Sequence, residues 1–144
     1  MAGLKVDDFF PRVIDSRTHG IIDYIHAGTN FAAGLLFARR DRRAAAAAFA
    51  LGASVLANAL MTDYEAGVFR LYDFKVHGIL DYGVAGASAI LPKLLGIEGS
   101  PESKYFYVQG AGETAIAGLT DYDDRSGSRR ALRQFGRGIR DRAA

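Results

Sequence analysis

The chain has 144 residues, of which 49% are hydrophobic and 24% are charged, and its formal net charge is only +2. That balance excludes a disordered polypeptide, and the length is that of one domain. Cysteine is absent, which excludes disulfide bonds, a thiol nucleophile and a thiolate metal site. The mean hydropathy of +0.02 averages long segments rich in Ala, Leu, Ile and Gly with short, strongly charged ones.

Four helical segments follow one another along the chain. They are predicted at about residues 18–38, 41–62, 76–95 and 101–120. The charged run at 39–43 and the Gly-, Ser- and Pro-containing run at 96–103 interrupt the two helix pairs. Pro92 lies inside the third segment and is expected to kink or shorten it. Antiparallel helices with connections this short predict a four-helix bundle.

The chain repeats itself at an interval of 58 residues. The heptapeptide THGIIDY at 18–24 recurs as VHGILDY at 76–82, and TDYE at 62–65 recurs as TDYD at 120–123. A repeat of this length is typical of one supersecondary unit used twice. We therefore divide the single domain into two helical hairpins and a basic tail, with the bounds 10–65, 68–123 and 124–144.

The second segment contains 19 consecutive uncharged residues between Arg43 and Asp63. A helix of that length crosses about 30 Å of hydrocarbon at ~1.5 Å per residue. Glycine and alanine recur in the other segments, and small residues of this kind let membrane helices approach closely. The pattern predicts an all-α, pseudo-two-fold four-helix transmembrane bundle from two tandem helical hairpins. A water-soluble, alanine-rich helical bundle that binds an apolar ligand is the alternative.

Lysine and arginine are distributed unevenly between the two ends of such a bundle. The end that holds both termini also holds the seven arginines of the tail, from Arg125 onward. Because basic residues accumulate on the cytoplasmic side, this predicts a protein of the inner (cytoplasmic) membrane with both termini in the cytoplasm. The tail is expected to contact lipid headgroups or a partner protein. It lacks interleaved aromatic residues, so nucleic acid is not expected as a partner.

The repeated polar residues are expected to meet at one end of the bundle. Because the first helix begins where the second ends, both heptapeptides and both Thr-Asp-Tyr tripeptides lie at the same boundary. The residues expected there are His19, Asp23, Tyr24, Asp63, Tyr64, His77, Asp81, Tyr82, Asp121 and Tyr122, with Arg12 and Arg70 just outside them.

Within this polar cluster, each histidine precedes an aspartate by four residues, which places the two side chains on one helix face. His19 pairs in this way with Asp23, and His77 with Asp81. A carboxylate one turn from an imidazole sets its tautomer and raises its basicity, which suits a metal ligand or a proton carrier. A structural lock between helix starts and a partner-binding surface are the other interpretations.

Two further ionisable residues have no counterpart in the other copy. His26 corresponds to Val84, and Glu113 corresponds to Val55. Both lie about 11–12 Å inside the same boundary, on helices that are neighbours in an up-down bundle, so they are expected to lie within reach of each other. Ionisable groups at such depth are functional candidates. A hydrogen-bond network that only joins the two helices is the alternative.

Residues 60–97, LMTDYEAGVFRLYDFKVHGILDYGVAGASAILPKLLGI, resemble the bacterial SPW-repeat type of small membrane protein. The matching positions are His77, Asp81, Gly86, Pro92 and Gly96 in the second copy and His19, Asp23 and Gly28 in the first. Leu91-Pro92-Lys93 stands where the family has Ser-Pro-Trp. The resemblance implies a four-helix membrane bundle and no established activity.

The leading hypothesis is a non-enzymatic integral membrane protein that acts as a structural or interaction subunit. Other membrane subunits, or a second copy of the chain, would be its partners. The alternative is a metal-binding or proton-conducting membrane protein that uses His19, Asp23, His26 and Glu113. No phosphate-binding loop, HExxH or GxSxG motif is present, so no cofactor is expected beyond a metal ion.

Overall fold

The computed structural model describes residues 11–124, which form four α-helices. Their bounds are Ser16–Phe37 (α1), Arg42–Met61 (α2), Phe74–Leu94 (α3) and Pro101–Leu119 (α4). Within this described range there is no strand, and two isolated bridges, Ile14 to Thr120 and Thr62 to Tyr72, join segments next to the helix ends. The predicted all-α four-helix bundle is confirmed. Apart from Asp124, the basic tail lies outside the described residues.

The two helices that carry the histidines begin in the same way. Asp15 accepts the backbone N–H of Thr18 at 2.7 Å, and Asp73 accepts that of Val76 at 3.0 Å. An acceptor at this position satisfies one of the free N–H groups in the first turn of a helix. The hydrogen bonds from Thr18 hold the pKa of Asp15 below its ordinary value.

Pro92 lies buried in the last turn of α3, and the helix continues through it to Leu94. Just beyond, Gly96 adopts the left-handed conformation with a φ of 63°, which is a common way for a helix to end. Because proline has no N–H group, α3 lacks the backbone hydrogen bond to the carbonyl of Ser88, and only two helical residues follow Pro92.

Packing is closest within each hairpin, where α1 lies against α2 and α3 lies against α4. Between the hairpins, α2 and α3 make most of the backbone approaches. An apolar core fills the end of the bundle remote from the histidines. Its buried members are Ala33, Ala44, Ala47, Ala48, Leu51, Ile97 and Phe106.

Beside the apolar core, many polar side chains are buried and many large apolar side chains are exposed. Buried polar residues include Ser16, His19, Asp23, Asn30, Asn58, His77, Asp81, Ser88 and Glu113. Exposed large apolar residues include Ile21, Ile25, Leu35, Leu36, Ile79, Ile90, Leu94 and Val108. In a water-soluble bundle the apolar stripe of each helix faces the core and charged residues face water.

One described helix is long and apolar enough to cross a membrane by length and composition alone. It is α2, Arg42–Met61, with a mean hydropathy of 1.8 over an 18-residue window. Half of that window is buried inside the bundle, and a buried core helix of a soluble protein has the same composition. The predicted transmembrane character of all four helices therefore stays a prediction.

Candidate metal centre

Four buried ionisable side chains meet at the end of the bundle where α1 and α3 begin. His19 lies in the first turn of α1 and Asp23 follows one turn later, while His77 and Asp81 occupy the same places in α3. All four have exposed fractions of 3% or less. We call this group the His/Asp centre.

The four side chains of the His/Asp centre surround one point between the two hairpins. The Nε2 atoms of His19 and His77 are 3.0 Å apart. Asp23 places one oxygen 3.2 Å from His19 Nε2 and the other 3.3 Å from His77 Nε2. Asp81 does the same, at 3.2 Å from each nitrogen. Each carboxylate therefore lies across both imidazoles.

The other ring nitrogens show which tautomer the histidines hold. Thr62 Oγ1 lies 2.7 Å from His77 Nδ1, and Thr120 Oγ1 lies 2.8 Å from His19 Nδ1. Each threonine donates its hydroxyl to the carbonyl of the residue four positions earlier, at 2.6 and 2.7 Å. A hydroxyl has a single hydrogen, so each threonine accepts from an Nδ1–H group. In the neutral imidazole, Nε2 then carries a lone pair that points into the centre.

Tyrosines that follow α2 and α4 hold the carboxylates in place. Tyr64 donates to Asp23 Oδ2 and Tyr122 donates to Asp81 Oδ2, each at 2.8 Å. Burial raises the pKa of both phenols above its ordinary value, and the adjacent carboxylates raise it further, so both tyrosines remain hydrogen-bond donors. Asn58 adds a second donor to Asp81, at 2.9 Å from Oδ1.

The glycine inside each heptapeptide makes room for these tyrosines. A Cβ atom at Gly20 would lie 2.5 Å from the Cβ of Ala66 and 3.0 Å from the ring of Tyr64. At Gly78 it would lie 2.8 Å from the ring of Tyr122. The repeated pattern thus has a physical reason: histidine and aspartate form the centre, and glycine admits the tyrosine that orients the aspartate.

The other members of the predicted polar cluster lie outside the centre: Tyr24 and Tyr82 are exposed on α1 and α3, and the charged residues form ion pairs. Arg70 contacts Asp63 at 3.1 Å. Arg12 contacts Asp121 at 3.7 Å and Asp123 at 2.9 Å. Because these side chains are more than one-third exposed, solvent screens their charges. The structure gathers the predicted residues at one end but separates a buried inner group from an exposed outer one.

Three contributors to the centre were not predicted as site residues. Thr62 and Thr120 belong to the repeated Thr-Asp-Tyr tripeptide, and this recurrence is the sequence signal from which they could have been identified. Asn58 has no such signal, because Ile116 stands 58 positions later. Only the packing of α2 against α3 brings Asn58 beside Asp81.

His26 and Glu113 form a separate pair, farther along α1 and α4. His26 Nδ1 lies 2.8 Å from Glu113 Oε2, so the structure brings these two residues together as expected. Along α1, His26 lies about 10 Å beyond His19, at ~1.5 Å per residue. Among the described residues, the ligand atoms that converge at the centre come from His19, Asp23, His77 and Asp81, and His26 and Glu113 instead line a cleft between α1 and α4.

Comparisons of the chain with protein-family models, with curated proteins and with solved structures return no match. The resemblance to SPW-repeat proteins therefore stays a prediction.

Proposed function

We propose that this chain is an integral membrane protein that binds one divalent transition-metal ion in the His/Asp centre. The ligands are Nε2 of His19 and His77 and carboxylate oxygens of Asp23 and Asp81. One observation carries the proposal: two lone-pair nitrogens 3.0 Å apart and two buried carboxylates converge on a single point. Without a cation these groups repel one another, and a bound cation converts the repulsion into ligation.

The dimensions of the centre suit a tetrahedral ion. Ligand atoms that surround Zn²⁺ at about 2.0–2.1 Å in a tetrahedron lie roughly 3.3 Å from one another. The nitrogen–oxygen distances here are 3.2 and 3.3 Å, each to the nearer oxygen of a carboxylate, and four ligand atoms, one from each residue, lie within 4.8 Å of one another. Imidazole and carboxylate ligands without sulfur favour Zn²⁺ and neighbouring first-row divalent ions. Two carboxylates also neutralise the charge of a divalent ion.

The hydrogen bonds around the centre also support metal binding. Metal-ligating histidines nearly always donate their other N–H group to a fixed acceptor, which sets the orientation of the ring. Thr62 and Thr120 supply that acceptor, and the phenols of Tyr64 and Tyr122 hold the carboxylates. Because the supports are the same in both hairpins, the ion would lie on a pseudo-two-fold axis that relates them.

The exposed surface of the bundle supports embedding in a membrane. Each helix has a stretch in which no Asp, Glu, His, Lys or Arg is exposed. The limits of these stretches are Arg17 and Arg39 on α1, Arg43 and Asp63 on α2, Lys75 and Lys93 on α3, and Lys104 and Asp121 on α4. At ~1.5 Å per residue they form a belt roughly 24–32 Å thick, which matches the ~30 Å hydrocarbon core of a bilayer.

Basic residues set the proposed orientation. Both ends of the described chain lie at the boundary that holds the His/Asp centre, and the arginine-rich tail from Arg125 continues from there. The positive-inside rule places this boundary on the cytoplasmic side of the inner membrane. Association with other membrane subunits, or with a second copy of the chain, is compatible with the centre and stays a prediction.

A proton is the second candidate occupant of the centre. The distance of 3.0 Å between the two Nε2 atoms is also that of an N–H···N hydrogen bond. One shared proton would relieve the repulsion between the two lone pairs, but it would leave one of the two carboxylate charges uncompensated. Two protons, one on each Nε2, would compensate both charges but would place two like-charged rings with their N–H groups 3.0 Å apart. A divalent ion compensates both charges without that contact, which favours metal.

Metal analysis of the purified protein tests the proposal. Detergent-purified protein is expected to contain about one first-row divalent ion per chain, or to bind one Zn²⁺ in a titration. His19→Ala and His77→Ala should each lower the affinity by more than about 100-fold. His26→Val is the matched control, because it removes a histidine from α1 outside the centre. No uptake of metal by the wild type, or equal affinity in His19→Ala and His26→Val, would contradict the metal assignment.

Membrane embedding is tested separately, by extraction. The protein is expected to remain with the membrane pellet in alkaline carbonate and in high salt, and to be released by detergent. A protein that is monodisperse in plain buffer would contradict the embedding, whatever its metal content.

A further inference from the structure

The cleft between α1 and α4 combines an apolar lining with a small group of polar side chains. Its volume is about 280 Å³. Ile22, Ile25, Val108 and Ile116 supply its apolar lining. Its polar lining consists of His26, Gln109 and Glu113 together with Thr29 and Tyr105, whose hydroxyls already donate to Ile25 O and to Asn30 Oδ1.

Some polar atoms of this cleft are not satisfied by the protein. Across residues 11–124, the buried side-chain nitrogen and oxygen atoms without a hydrogen-bond partner are both ring nitrogens of His26 and both amide atoms of Gln109. His26 Nδ1 lies 2.8 Å from Glu113 Oε2, an ion-pair distance, so the atoms without any close polar neighbour are His26 Nε2 and the two amide atoms of Gln109. A buried polar atom without a partner is destabilising, so these three atoms in one apolar cleft suit a ligand with a polar head.

The opposite cleft shows that the fold does not require these polar groups. It lies between α2 and α3 and is lined by Leu51, Leu80, Gly83 and Val84, among others. Leu80, Gly83 and Val84 stand 58 positions after Ile22, Ile25 and His26. At the positions equivalent to Gln109 and Glu113 are Leu51 and Val55. At the three equivalent positions, one helix pair thus carries Val84, Leu51 and Val55, and the other carries a histidine, an amide and a carboxyl group.

The size and chemistry of the α1/α4 cleft restrict its ligand. An apolar cavity of about 150 Å³ accommodates benzene, so 280 Å³ accommodates one substituted ring. A neutral imidazole and a carboxamide each present both a donor and an acceptor, so the head of the ligand must donate and accept in one place. A phenolic hydroxyl does both, and its ring suits the apolar walls.

We propose that the α1/α4 cleft binds a phenol or hydroquinone, with the hydroxyl between His26 and Gln109 and the ring against Ile22, Val108 and Ile116. The Glu113 carboxyl group lies against His26 Nδ1 at 2.8 Å, which leaves His26 Nε2 as the ring nitrogen available to the ligand hydroxyl. This site is distinct from the His/Asp centre and does not depend on a bound metal.

Binding of tert-butylhydroquinone to the detergent-purified full chain, measured by calorimetry, tests this proposal. The dimethyl ether of the same compound is the control ligand, because it keeps the ring and loses both donors. The matched protein variant is His26→Val/Gln109→Leu/Glu113→Val, which installs the residues of the opposite cleft. We expect the ether to bind the wild type, and the hydroquinone to bind the triple variant, at least about tenfold more weakly than the wild type binds the hydroquinone.

Three results would overturn the proposal: no binding of the hydroquinone, equal binding of the ether, or equal binding by the triple variant. The first would mean that water satisfies the polar atoms, and the other two that the cleft selects only for apolar bulk. If the triple variant does not fold, His26→Val and Gln109→Leu are compared singly. Metal content measured on the same samples reports separately on the His/Asp centre, so failure of one site is not mistaken for failure of the other.

Discussion

The two hairpins are alike at the end of the bundle that holds the His/Asp centre, and they differ in the middle of the bundle. At the end, residues 58 positions apart agree in identity and in contacts, as for His19 with His77 and for Tyr64 with Tyr122. In the middle, equivalent positions diverge, with His26 opposite Val84. At the end both hairpins contribute to one point, so a change in either copy alters the whole ligand set. In the middle, each cleft is lined by its own residues, so a substitution in one cleft leaves the lining of the other unchanged.

Removal of one histidine from the shared end has the largest expected effect. On the metal proposal, His77→Ala removes one of the four ligands that hold the ion between two buried carboxylates, and breaking a buried charge cluster in this way costs about 3–5 kcal/mol. His19→Ala is expected to reduce the free energy of unfolding by the same amount within about 1 kcal/mol, because the two histidines have equivalent partners. Denaturant unfolding in detergent measures both. A large loss in only one variant would show that the two hairpins do not share the centre.

Substitution of the glycine in each heptapeptide should have the next largest effect on stability. Gly20→Ala and Gly78→Ala push a methyl group against Tyr64 and Tyr122, and overpacking of this kind costs about 1–3 kcal/mol. Gly28→Ala and Gly86→Ala are the controls, since a Cβ atom there meets nothing within 4 Å. Because alanine favours the helix by up to ~1 kcal/mol, the controls should be neutral or stabilising. Thermal unfolding of the four variants checks this contrast, which fails if both pairs behave alike.

Removal of the Tyr64 or Tyr122 hydroxyl should lower the metal affinity of the His/Asp centre without abolishing binding. Tyr64→Phe and Tyr122→Phe each remove one hydrogen bond to a carboxylate ligand, and loss of such a contact lowers metal affinity about 10–100-fold. Tyr82→Phe is the control, because Tyr82 is exposed on α3. Competitive titration with a metal-binding dye measures the three affinities. An unchanged metal affinity in both Tyr64→Phe and Tyr122→Phe would show that the hydrogen bonds from these tyrosines to the carboxylates do not contribute to metal binding.

High pH should lower the free energy of unfolding through Tyr64 and Tyr122. The pKa of both phenols is raised in the folded protein, whereas in the unfolded chain it is about 10. Above pH ~10 the unfolded state therefore releases protons that the folded state keeps, and stability falls by up to ~1.4 kcal/mol per pH unit for each tyrosine. The contribution is fully present below pH ~10. Tyr64→Phe should make the decline shallower, and an identical decline in the variant would contradict this assignment.

The exposed ion pairs should matter least. Arg70→Ala removes the contact with Asp63, and solvent-exposed pairs contribute about 0–1 kcal/mol. Its metal affinity should equal that of the wild type, since Arg70 lies outside the His/Asp centre. A metal affinity lowered as much as in Tyr64→Phe would mean that the inner and outer groups are coupled.

The candidate site was predictable in part, for reasons visible in particular residues. The spacing of His19 and Asp23, and its recurrence at His77 and Asp81, identified the residues that meet at the end of the bundle. The divergence of His26 and Glu113 from the repeat identified the second pair. Asn58 was missed because it has no counterpart in the other copy, and the threonines were missed because their role depends on which ring nitrogen they face. Neither property is visible before the helices are packed.

Helix number, helix ends and the boundary at which the polar residues gather are local properties, and the periodicity, caps and repeated heptapeptide of the chain were sufficient to predict them. The approach of two imidazole nitrogens to 3.0 Å and the unpartnered atoms of the α1/α4 cleft depended on how the hairpins pack. The physical reason is that contact between residues far apart in the chain is set by the rotation and separation of whole helices, and side-chain order along one helix records neither.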